Sequence, residues 1–321
     1  MTMFRLTHDI TIGKYRLKLV DSVSIKCSVE TLSDTAVITL PGSVMNAALQ
    51  IEGKINVGDA VSIRLGYDGE LKEEFTGYVE KISTNDGSLK IECLDALYLF
   101  KKTAIKDAQR KDITLAALLR KVCAEVDSSI KVNCDYSFTY DDFVIYKANG
   151  YDVLKKVHED TKADIYFAGN TLHVHMPYTQ NADTTPVRFD FSRNIEKSDL
   201  TYRKAEDSKV EVEVKIKTPD GKEKSITHGT SEGEKISLKS PSQNEADAKK
   251  VAEAEYRRRS FDGYEGSFTA WLIPHVKPTS TVHLHDKDYP TKDGNYYVTG
   301  TETTYSSSGG VRKIKLGRRI S

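Results

Sequence analysis

The sequence predicts an α+β fold that is mainly β, with two similar antiparallel β-barrel domains, a small α+β domain between them and a helix inserted in the second barrel. Three observations predict it: short alternating strands lie towards both ends, helical periodicity lies between them, and one β-element is repeated near each end. We place the first barrel at residues 1–100, the α+β domain at 101–186 and the second barrel at 187–321, with the inserted helix at 243–260.

Short strands dominate the first hundred or so residues. One strand alternates apolar and polar positions, and its apolar residues are Val23, Ile25, Cys27 and Val29. The next strand, 36–40, stops at Pro41-Gly42 because proline removes a donor from the ladder. A helix-prone segment follows at 43–50. The pattern is typical of a barrel or small sandwich of roughly five to seven strands.

Helical periodicity begins after Lys101. Apolar residues recur with the spacing of one helix face at Leu115, Leu118, Leu119, Val122, Cys123 and Val126. Asp112 or Thr114 is the predicted cap of this helix. A second helix is expected after Asn149-Gly150, with strands before and after it. These elements predict a small α+β domain that ends near Pro186.

A strict period of two then marks the return of strands. Its apolar residues are Val210, Val212, Val214 and Ile216. The rhythm resembles that of the Val23–Val29 strand, and Pro219-Asp220-Gly221 predicts a hairpin turn. Ser242 and Glu245 have the spacing of a capping box, which starts an alanine-rich helix that runs to Arg259.

The repeated β-element consists of a turn, an alternating strand, an aromatic-valine strand, a tight turn and a closing strand. The first copy lies at 57–65, 76–79 and 86–93, and the second at 276–284, 295–298 and 309–316. Its barrel positions are Val61, Ile63, Tyr78, Val79 and Ile91 in the first copy and Val282, Leu284, Tyr297, Val298 and Ile314 in the second. Short strands also recur by chance, so the shared order and spacing are what favour duplication.

Composition limits the functional classes. Of 321 residues, 47 are Lys or Arg and 47 are Asp or Glu, so no net field attracts nucleic acid or an anionic membrane. The N-terminal residues lack the apolar core of a signal peptide, and we expect folding in a cytoplasm. The cysteines form no C-x-x-C pair and are expected to be buried thiols. They are Cys27, Cys93, Cys123 and Cys134.

No catalytic, cofactor or metal site is predicted. His173-x-His175 and His283-x-His285 each put two imidazoles on one strand face, but a metal site needs a third or fourth ligand that no characteristic spacing supplies. Glu73-Glu74 and Asp141-Asp142 are carboxylates in turn-like contexts, where solvated loops are the default. The arginines 257–259 lie among acidic residues, which indicates a mixed-charge helix face.

Aromatic residues are numerous, and two interpretations of them stay open. Tyr296-Tyr297 and the alternating Tyr136, Phe138 and Tyr140 lie near the ends of strands. Such side chains suit subunit interfaces, because they give a large contact area at little entropic cost. They equally suit the core of a barrel and the pairing of hairpins.

These pieces resemble a known family, the baseplate hub proteins of contractile phage tails. The family is also called late control protein D or the 43-kDa tail proteins, and is related to the N-terminal part of type VI secretion spikes. The residues that carry the resemblance are 29–41, Gly58-Asp59, 75–79, 91–99, the helix that ends at 256–259, 266–268, 296–298 and 315–319. The segment 276–280 departs from the family, which has a Pro-Gly-Asp-like turn there.

The resemblance implies a structural protein and not an enzyme. It implies a homotrimer in which each chain gives two similar barrels, so that a pseudo-sixfold ring joins a trimeric spike to the hexameric tail tube and lines the channel. The implied partners are the central spike protein, the tail tube protein and other baseplate proteins, with no cofactor and no membrane. DNA or an effector would pass through the channel without specific binding. The implied location is the virion tail, assembled in the bacterial host cytoplasm.

Two other classes of protein stay open at this stage. A tail-associated cell-wall hydrolase would have a cleft with a carboxylate of raised pKa. A cell-surface module that binds carbohydrate or peptide would be a monomer with an aromatic-lined groove.

Overall fold

The computed structural model describes residues 4–41, 53–85, 88–179, 185–218 and 220–320. Strands account for 52% and helices for 18%, which confirms the mainly β prediction. The predicted helix at 43–50 and the predicted turn residues Asp86, Gly87 and Pro219 lie outside the described residues.

The described residues of the first part of the chain form β-strands and the turns between them. Its strands are β1 (Leu6–Ile12), β2 (Tyr15–Leu17), β3 (Ser22–Ser28), β4 (Thr35–Leu40), β5 (Ala60–Tyr67), β6 (Glu70–Asn85) and β7 (Ser88–Leu94). Their buried residues alternate with more exposed ones, as in Ala36, Ile38 and Leu40 of β4. One face of each strand therefore packs on a core, as the alternation predicts.

The middle part mixes helices and strands. Its elements are α1 (Leu97–Lys102), β8 (Ala108–Thr114), α2 (Leu115–Val126), β9 (Lys131–Cys134), β10 (Thr139–Ile145), α3 (Gly150–Thr161), β11 (Asp164–Ala168) and β12 (Thr171–His175). Thr114 caps α2, because its hydroxyl accepts a hydrogen bond from Ala117 N at 3.3 Å. Asn149 and Asp152 form a reciprocal capping box at the start of α3. Both helices thus begin where the sequence placed them.

The last part returns to strands. Its elements are β13 (Val187–Asp190), β14 (Lys197–Arg203), β15 (Val210–Lys217), β16 (Glu223–Gly229), β17 (Glu234–Lys239), α4 (Glu245–Arg259), β18 (Gly263–Trp271), β19 (Thr281–His285), β20 (Gly294–Ser306) and β21 (Gly309–Arg319). The cap of α4 is Asn244, whose Oδ1 accepts from Ala246 N at 2.8 Å. The predicted cap Ser242 instead accepts from Asn244 N, so the S-x-x-E assignment is wrong.

One 13-stranded sheet runs through both ends of the chain. Its main path has the order β14-β18-β21-β20-β3-β4-β7-β6-β5-β1-β2, and β13 and β19 continue from β20 on a side branch. Among the described residues no pairing closes either end into a barrel. We call β1–β7 the first half of the sheet, and β13, β14 and β18–β21 the second half.

The two halves have the same strand order. The first half reads β3-β4-β7-β6-β5-β1 and the second reads β14-β18-β21-β20-β19-β13. Four of the five neighbouring pairs are antiparallel in both halves. The last pair differs, because β1 is antiparallel to β5 whereas β13 is parallel to β19.

The register also matches between the halves. Tyr78 lies opposite Ala60, the residue before Val61, and Tyr297 lies opposite Thr281, the residue before Val282. The same correspondence extends to the outer strands. In the first half Ile91 pairs with Ile38 and Ile38 with Val23; in the second half Ile314 pairs with Phe268 and Phe268 with Ser198.

An irregularity in the ladder occurs at the same place in both halves. The pairing of β6 with β7 shifts register between Val79 and Lys81, and the pairing of β20 with β21 shifts between Val298 and Gly300. A β-bulge bends a strand and is set by the local sequence, so its recurrence is a specific similarity.

The turn before the first strand of each repeat is also shared. Gly58 N donates to Val79 O at 2.8 Å, and Thr279 N donates to Val298 O at 2.9 Å. Gly58 has φ +94° and Thr279 has φ +73°, a left-handed conformation that a β-branched residue rarely adopts. The segment 276–280 therefore keeps the backbone of the first copy despite its different residues.

The strand with apolar residues Val210–Ile216 does not resemble β3 in position. It is β15, the central strand of a separate three-stranded sheet with β16 and β17, and α4 packs against it. The strand of the second half that corresponds to β3 is β14. The rhythm was misleading because any strand with one buried face alternates in this way. The segment between β14 and β18 thus holds a sheet as well as the predicted helix.

The buried apolar residues of the described ranges form three hydrophobic cores. One lies under the first half and includes Ile38, Ile63 and Ile91. Another lies under the second half and includes Val298 and Ile314. The largest joins the middle part of the chain to β15 and α4. We call the elements around this largest core, α1–β12 with β15–β17 and α4, the insert.

Separate cores predict independent energetics for Ile91 and Ile314, which are both fully buried at equivalent register positions. Each Ile→Val change is expected to lower the free energy of unfolding by about 0.5–1.5 kcal/mol. In the double variant the two losses should add within about 0.5 kcal/mol, measured by chemical denaturation. A strong coupling would show that the halves share one core.

Candidate functional site

The two halves of the sheet meet at one strand pair, which we call the seam. β20 pairs antiparallel with β3, and the register runs from Gly300 opposite Ser28 to Ser306 opposite Ser22. One more backbone bond extends the seam, from Val29 N to Thr299 O at 3.0 Å. β20 can reach β3 because its pairing with β19 ends at Tyr297, which leaves that edge of the strand open.

A buried arginine lies beneath the seam. Arg312 is fully buried, and its guanidinium donates to Glu74, to Leu272 O at 2.7 Å and to Thr303 Oγ1 at 3.3 Å. Glu74 lies on β6 in the first half, whereas the other partners lie in the second half. The ion pair therefore joins the two halves inside the protein, where each charge needs its partner.

Burial raises the pKa of Glu74, and the charge and hydrogen bond of Arg312 oppose that rise. His275 Nε2 lies 3.6 Å from Glu74 Oε1, and Thr303 Oγ1 lies 3.4 Å from Oε2. Both carboxylate oxygens of Glu74 thus have polar neighbours from the second half.

Further contacts cross between the halves near the hairpin that joins β20 and β21. His8 Nδ1 lies 2.6 Å from the Tyr305 hydroxyl, and the Tyr67 hydroxyl donates to Gly310 O at 3.2 Å. On the exposed face, Lys26 pairs with Glu302 at 3.2 Å. The exposed pair is worth little by itself, because water screens both charges.

A cavity of about 540 Å³ lies where the two halves and the insert meet. Its lining residues are Cys27, Ser28, Asp34, Lys72, Glu73, Glu74, Phe75, Thr76, Asp95, Ala96, Tyr166, Phe167, Ala168, Gly169, His173, His275, Lys277, Pro278 and Thr279. The volume is within the range of small-molecule sites, and the lining combines apolar surface with several charged side chains.

Two carboxylates, Asp34 and Asp95, line the inner end of this cavity. Asp95 Oδ2 accepts from Asp34 N at 3.0 Å, and Asp95 Oδ1 accepts from Leu97 N at 3.0 Å. Asp34 Oδ1 accepts from Ser28 N at 2.9 Å. Burial raises the pKa of both, and the neighbouring Asp34 charge raises that of Asp95 further.

The structure places the ten predicted repeat positions at strands β5–β7 and β19–β21. All except the half-buried Tyr78 are buried, and Tyr297 and Val298 lie on the strand that forms the seam. None of the ten makes the ion pair between the halves. Their part in a tube-forming barrel stays a prediction.

The histidine pairs make hydrogen bonds within the protein. His175 Nδ1 lies 2.9 Å from Met176 O, and the His173 ring stacks on Tyr166. His283 faces Asn295 Oδ1 at 3.0 Å and His285 faces Asp293 Oδ2 at 2.8 Å. Within the described ranges no group of three or more His, Cys, Asp or Glu residues has the arrangement of a metal site.

The other candidate groups take part in local structure. Asp142 accepts from Gln109 Nε2 at 2.8 Å, and Asp141 accepts from Gln243 N. The arginines pair with acidic neighbours: Arg257 with Glu253, Arg258 with Asp164 and Arg259 with Glu255. The cysteines are free thiols; Cys93 and Cys123 are buried, and Cys27 and Cys134 are half-buried. No described helix is long and apolar enough to cross a bilayer.

Sequence reasoning missed Arg312, although a signal existed. In β21 the core-facing positions alternate, and Arg312 has the same parity as Ile314 and Leu316. A charged residue at such a position indicates a buried ion pair. The partner was harder to find, because the pairing of β5 with β6 shifts register between Ile63 and Arg64. The shift leaves Glu74 as an extra residue of β6 and changes which residues of that strand face inwards.

The fold matches solved structures of tail proteins. A tail protein of Neisseria meningitidis aligns with a TM-score of 0.71 at 15% identity, covering 98% of this chain and 97% of that one. The 43 kDa tail protein of prophage MuSo2 from Shewanella oneidensis aligns with a TM-score of 0.67 at 15% identity, covering 97% and 96%. The predicted resemblance to the 43-kDa tail proteins is thus confirmed at the level of the fold.

An E. coli component of the type VI secretion system, described as similar to bacteriophage T4 tail proteins, shares the fold as well. It aligns with a TM-score of 0.63 at 10% identity, covering 97% of this chain and 79% of that one. Neither a protein-family model nor a curated protein sequence matches the chain.

The buried pair is expected to dominate the energetics between the halves. Arg312→Ala leaves Glu74 buried without its partner and should lower the free energy of unfolding by about 3–5 kcal/mol. The control Lys26→Ala removes an exposed pair across the same seam and should cost less than about 1 kcal/mol. Chemical denaturation measures both. Similar losses for the two variants would contradict a structural role for the buried pair.

Proposed function

We propose that this chain is the structural baseplate hub of a contractile phage tail or a related injection machine. Three copies form a ring of six similar units that seats a trimeric spike on one side and a hexameric tail tube on the other. The observation that supports this most is the repeat: both halves share strand order, register and the position of a bulge. The fold of the tail proteins supports it independently.

Symmetry explains why a repeat suits this role. A closed threefold assembly presents three equivalent surfaces, and six matching surfaces require that each chain carries two. In the proposed ring each half curls around its own core as one barrel-like unit. The separate cores of the halves support this, and the closure of each unit belongs to the proposal.

The seam within the chain suggests how neighbouring copies join. Within one chain, the open edge of β20 pairs with β3 of the other half. The strands equivalent to these are β6 and β14. The pairing of β6 with β5 ends at Tyr78, so the edge of β6 that follows Tyr78 is open on that side. β14 is the terminal strand of the sheet's main path. We propose that β6 of one copy pairs with β14 of the next.

The equivalent residues give the register of that pairing. Glu302 lies opposite Lys26 in the seam, and these two correspond to Ser83 and Thr201. The same register sets Lys81 of one copy opposite Arg203 of the next. The repulsion between these two positive charges has to be offset by Glu92 and Glu265. Glu92 lies opposite Lys81 in the ladder, and Glu265 lies 3.4 Å from Arg203.

The exposed face near the seam suits a channel through which a polyanion slides. Several of its charges are paired, as in Lys26 with Glu302, Lys315 with Glu30 at 2.6 Å and Lys90 with Glu92 at 3.0 Å. A strongly basic surface would retain DNA, because its phosphates would release counterions there. In this proposal DNA or an effector passes without specific binding. The chain acts in the virion tail, with no membrane and no cofactor, after assembly in the host cytoplasm.

One observation favours a second candidate, the tail-associated cell-wall hydrolase. That enzyme would have a raised-pKa carboxylate in a cleft, and Asp34 and Asp95 have raised pKa values beside a cavity. Three of their four carboxylate oxygens, however, accept backbone N–H bonds, which is the bonding of a structural pair. We therefore propose that the chain is not an enzyme.

A cross-linking experiment tests the hub. The double variant Ser83→Cys/Thr201→Cys should give disulfide-linked dimers and trimers on non-reducing gels, because directly opposed residues lie at disulfide distance. The control Ser83→Cys/Thr227→Cys places the second thiol on the exposed edge strand β16 of the insert and should stay monomeric. Mass photometry at rising concentration accompanies the gels, because trimers gain from mass action.

If the matched pair gives no more cross-linking than the control at any concentration, the β6–β14 contact is wrong. A strictly monomeric protein with the spike present would favour the carbohydrate- or peptide-binding module instead.

The hydrolase is tested separately. The purified chain should leave the turbidity of a cell-wall suspension unchanged. A loss of turbidity that disappears in Asp95→Asn, with the control Asp127→Asn still active, would support the enzyme and oppose the structural role.

A further inference from the structure

The loop of residues 29–34, between β3 and β4, contacts all three parts of the molecule. Val29 N donates to Thr299 O at 3.0 Å in the second half. Glu30 Oε2 accepts from Lys315 Nζ at 2.6 Å, also in the second half. Leu32 packs against the core of the insert. The position of this short loop therefore couples the first half to both of its neighbours.

The loop ends at a reciprocal pair of aspartates. Asp34 N donates to Asp95 Oδ2 at 3.0 Å, and Asp95 N donates to Asp34 O at 3.1 Å. Asp95 is 5% exposed, and Leu97 N also donates to its carboxylate at the start of α1. The loop is thus attached to the first half through the half-buried Asp34 and the buried Asp95.

Few charges compensate this pair. No ion pair within the described part of the chain includes Asp34 or Asp95. Lys101 at the end of α1 lowers the pKa of Asp95, but its Nζ lies 3.0 Å from Glu80. The titratable and charged groups that line the cavity beside the pair or act on its pKa values are Cys27, Lys72, Glu73, Glu74, Lys101, Tyr166, His173, His275 and Lys277. Two adjacent carboxylates cannot both ionise cheaply in such a place.

We propose that Asp34 and Asp95 form a proton-held latch, in which the pair keeps loop 29–34 seated against the second half and the insert while it holds a proton, and ionisation of both carboxyl groups releases the loop. The cavity beside the pair gives water access to both carboxyl groups and room for hydration once they are ionised. Repulsion between the two carboxylates would then push the loop away from α1. The latch concerns a single chain and does not depend on the proposed function.

The direction of the pH effect follows from the raised pKa values, about 6 for Asp34 and about 8 for Asp95. In an unfolded chain an aspartate has a pKa of about 3.9. The pair therefore stabilises the seated loop fully below that pH, and the stabilisation declines as pH rises through the folded-state values.

Hydrogen exchange on the full chain tests the latch. Between about pH 5 and about pH 9, after correction for intrinsic rates, protection of the amides in 29–34 should fall at least about tenfold. Amides in α2, within the insert core, should keep their protection. An unchanged profile in the loop, or an equal fall in α2, would overturn the proposal.

Variants separate the latch from general alkaline sensitivity. Asp95→Asn cannot ionise; its amide keeps one oxygen for Leu97 N but loses the acceptor for Asp34 N, so the loop should be less protected at every pH and its profile should be flat with pH. The control Asp127→Asn alters an exposed aspartate that accepts from Ser129 N, and should keep the wild-type profile. A fall that persists in folded Asp95→Asn contradicts the latch.

If Asp95→Asn does not fold, carbon-detected NMR of the aspartate carboxyl groups decides the question in the wild-type chain. At least one group of the pair should titrate above about pH 5.5, and titration of both below about pH 4.5 would overturn the proposal.

Discussion

The pairing of β20 with β3 is the constraint on which the rest of the structure depends. It fuses two sheets with separate cores into one sheet, and it is possible only because β19 stops early and leaves the edge of β20 open. Beneath it the Arg312–Glu74 pair fixes the relative position of the halves, since neither charge can be buried alone. The cavity and the loop 29–34 lie beside this seam, so their geometry follows from it.

Because the two halves repeat, the strand pairing at the seam also bears on how chains could assemble. When each half carries the same open edge and the same first strand, the contact made once inside the chain can be made again between chains. A single type of strand pairing could then build the proposed ring. Three of its six contacts would lie between the halves of one chain, and three would lie between neighbouring chains. The insert adds a third core outside this sheet, and its contact with the loop at Leu32 relates its position to the same seam.

Period-two alternation and helical spacing were sufficient to predict the mainly β class, the helices α2 and α3 and the repeated element. They could not assign the strand Val210–Ile216 to its sheet, because alternation reports one buried face and not the partner strand. Nor could they find Asp34, Asp95 and Glu74, whose burial arises from contacts between residues far apart in the chain. Arg312 was missed as well, although its parity with Ile314 was a signal that it lies inside.

The most direct test of the central claim is an electron cryo-microscopy map of the chain assembled at high concentration or with its spike. The account predicts a threefold ring with an open pore and a pseudo-sixfold outline, in which β6 of each copy lies beside β14 of the next with Ser83 opposite Thr201. A ring in which β14 keeps a free edge, or a particle without the six-unit outline, would contradict it.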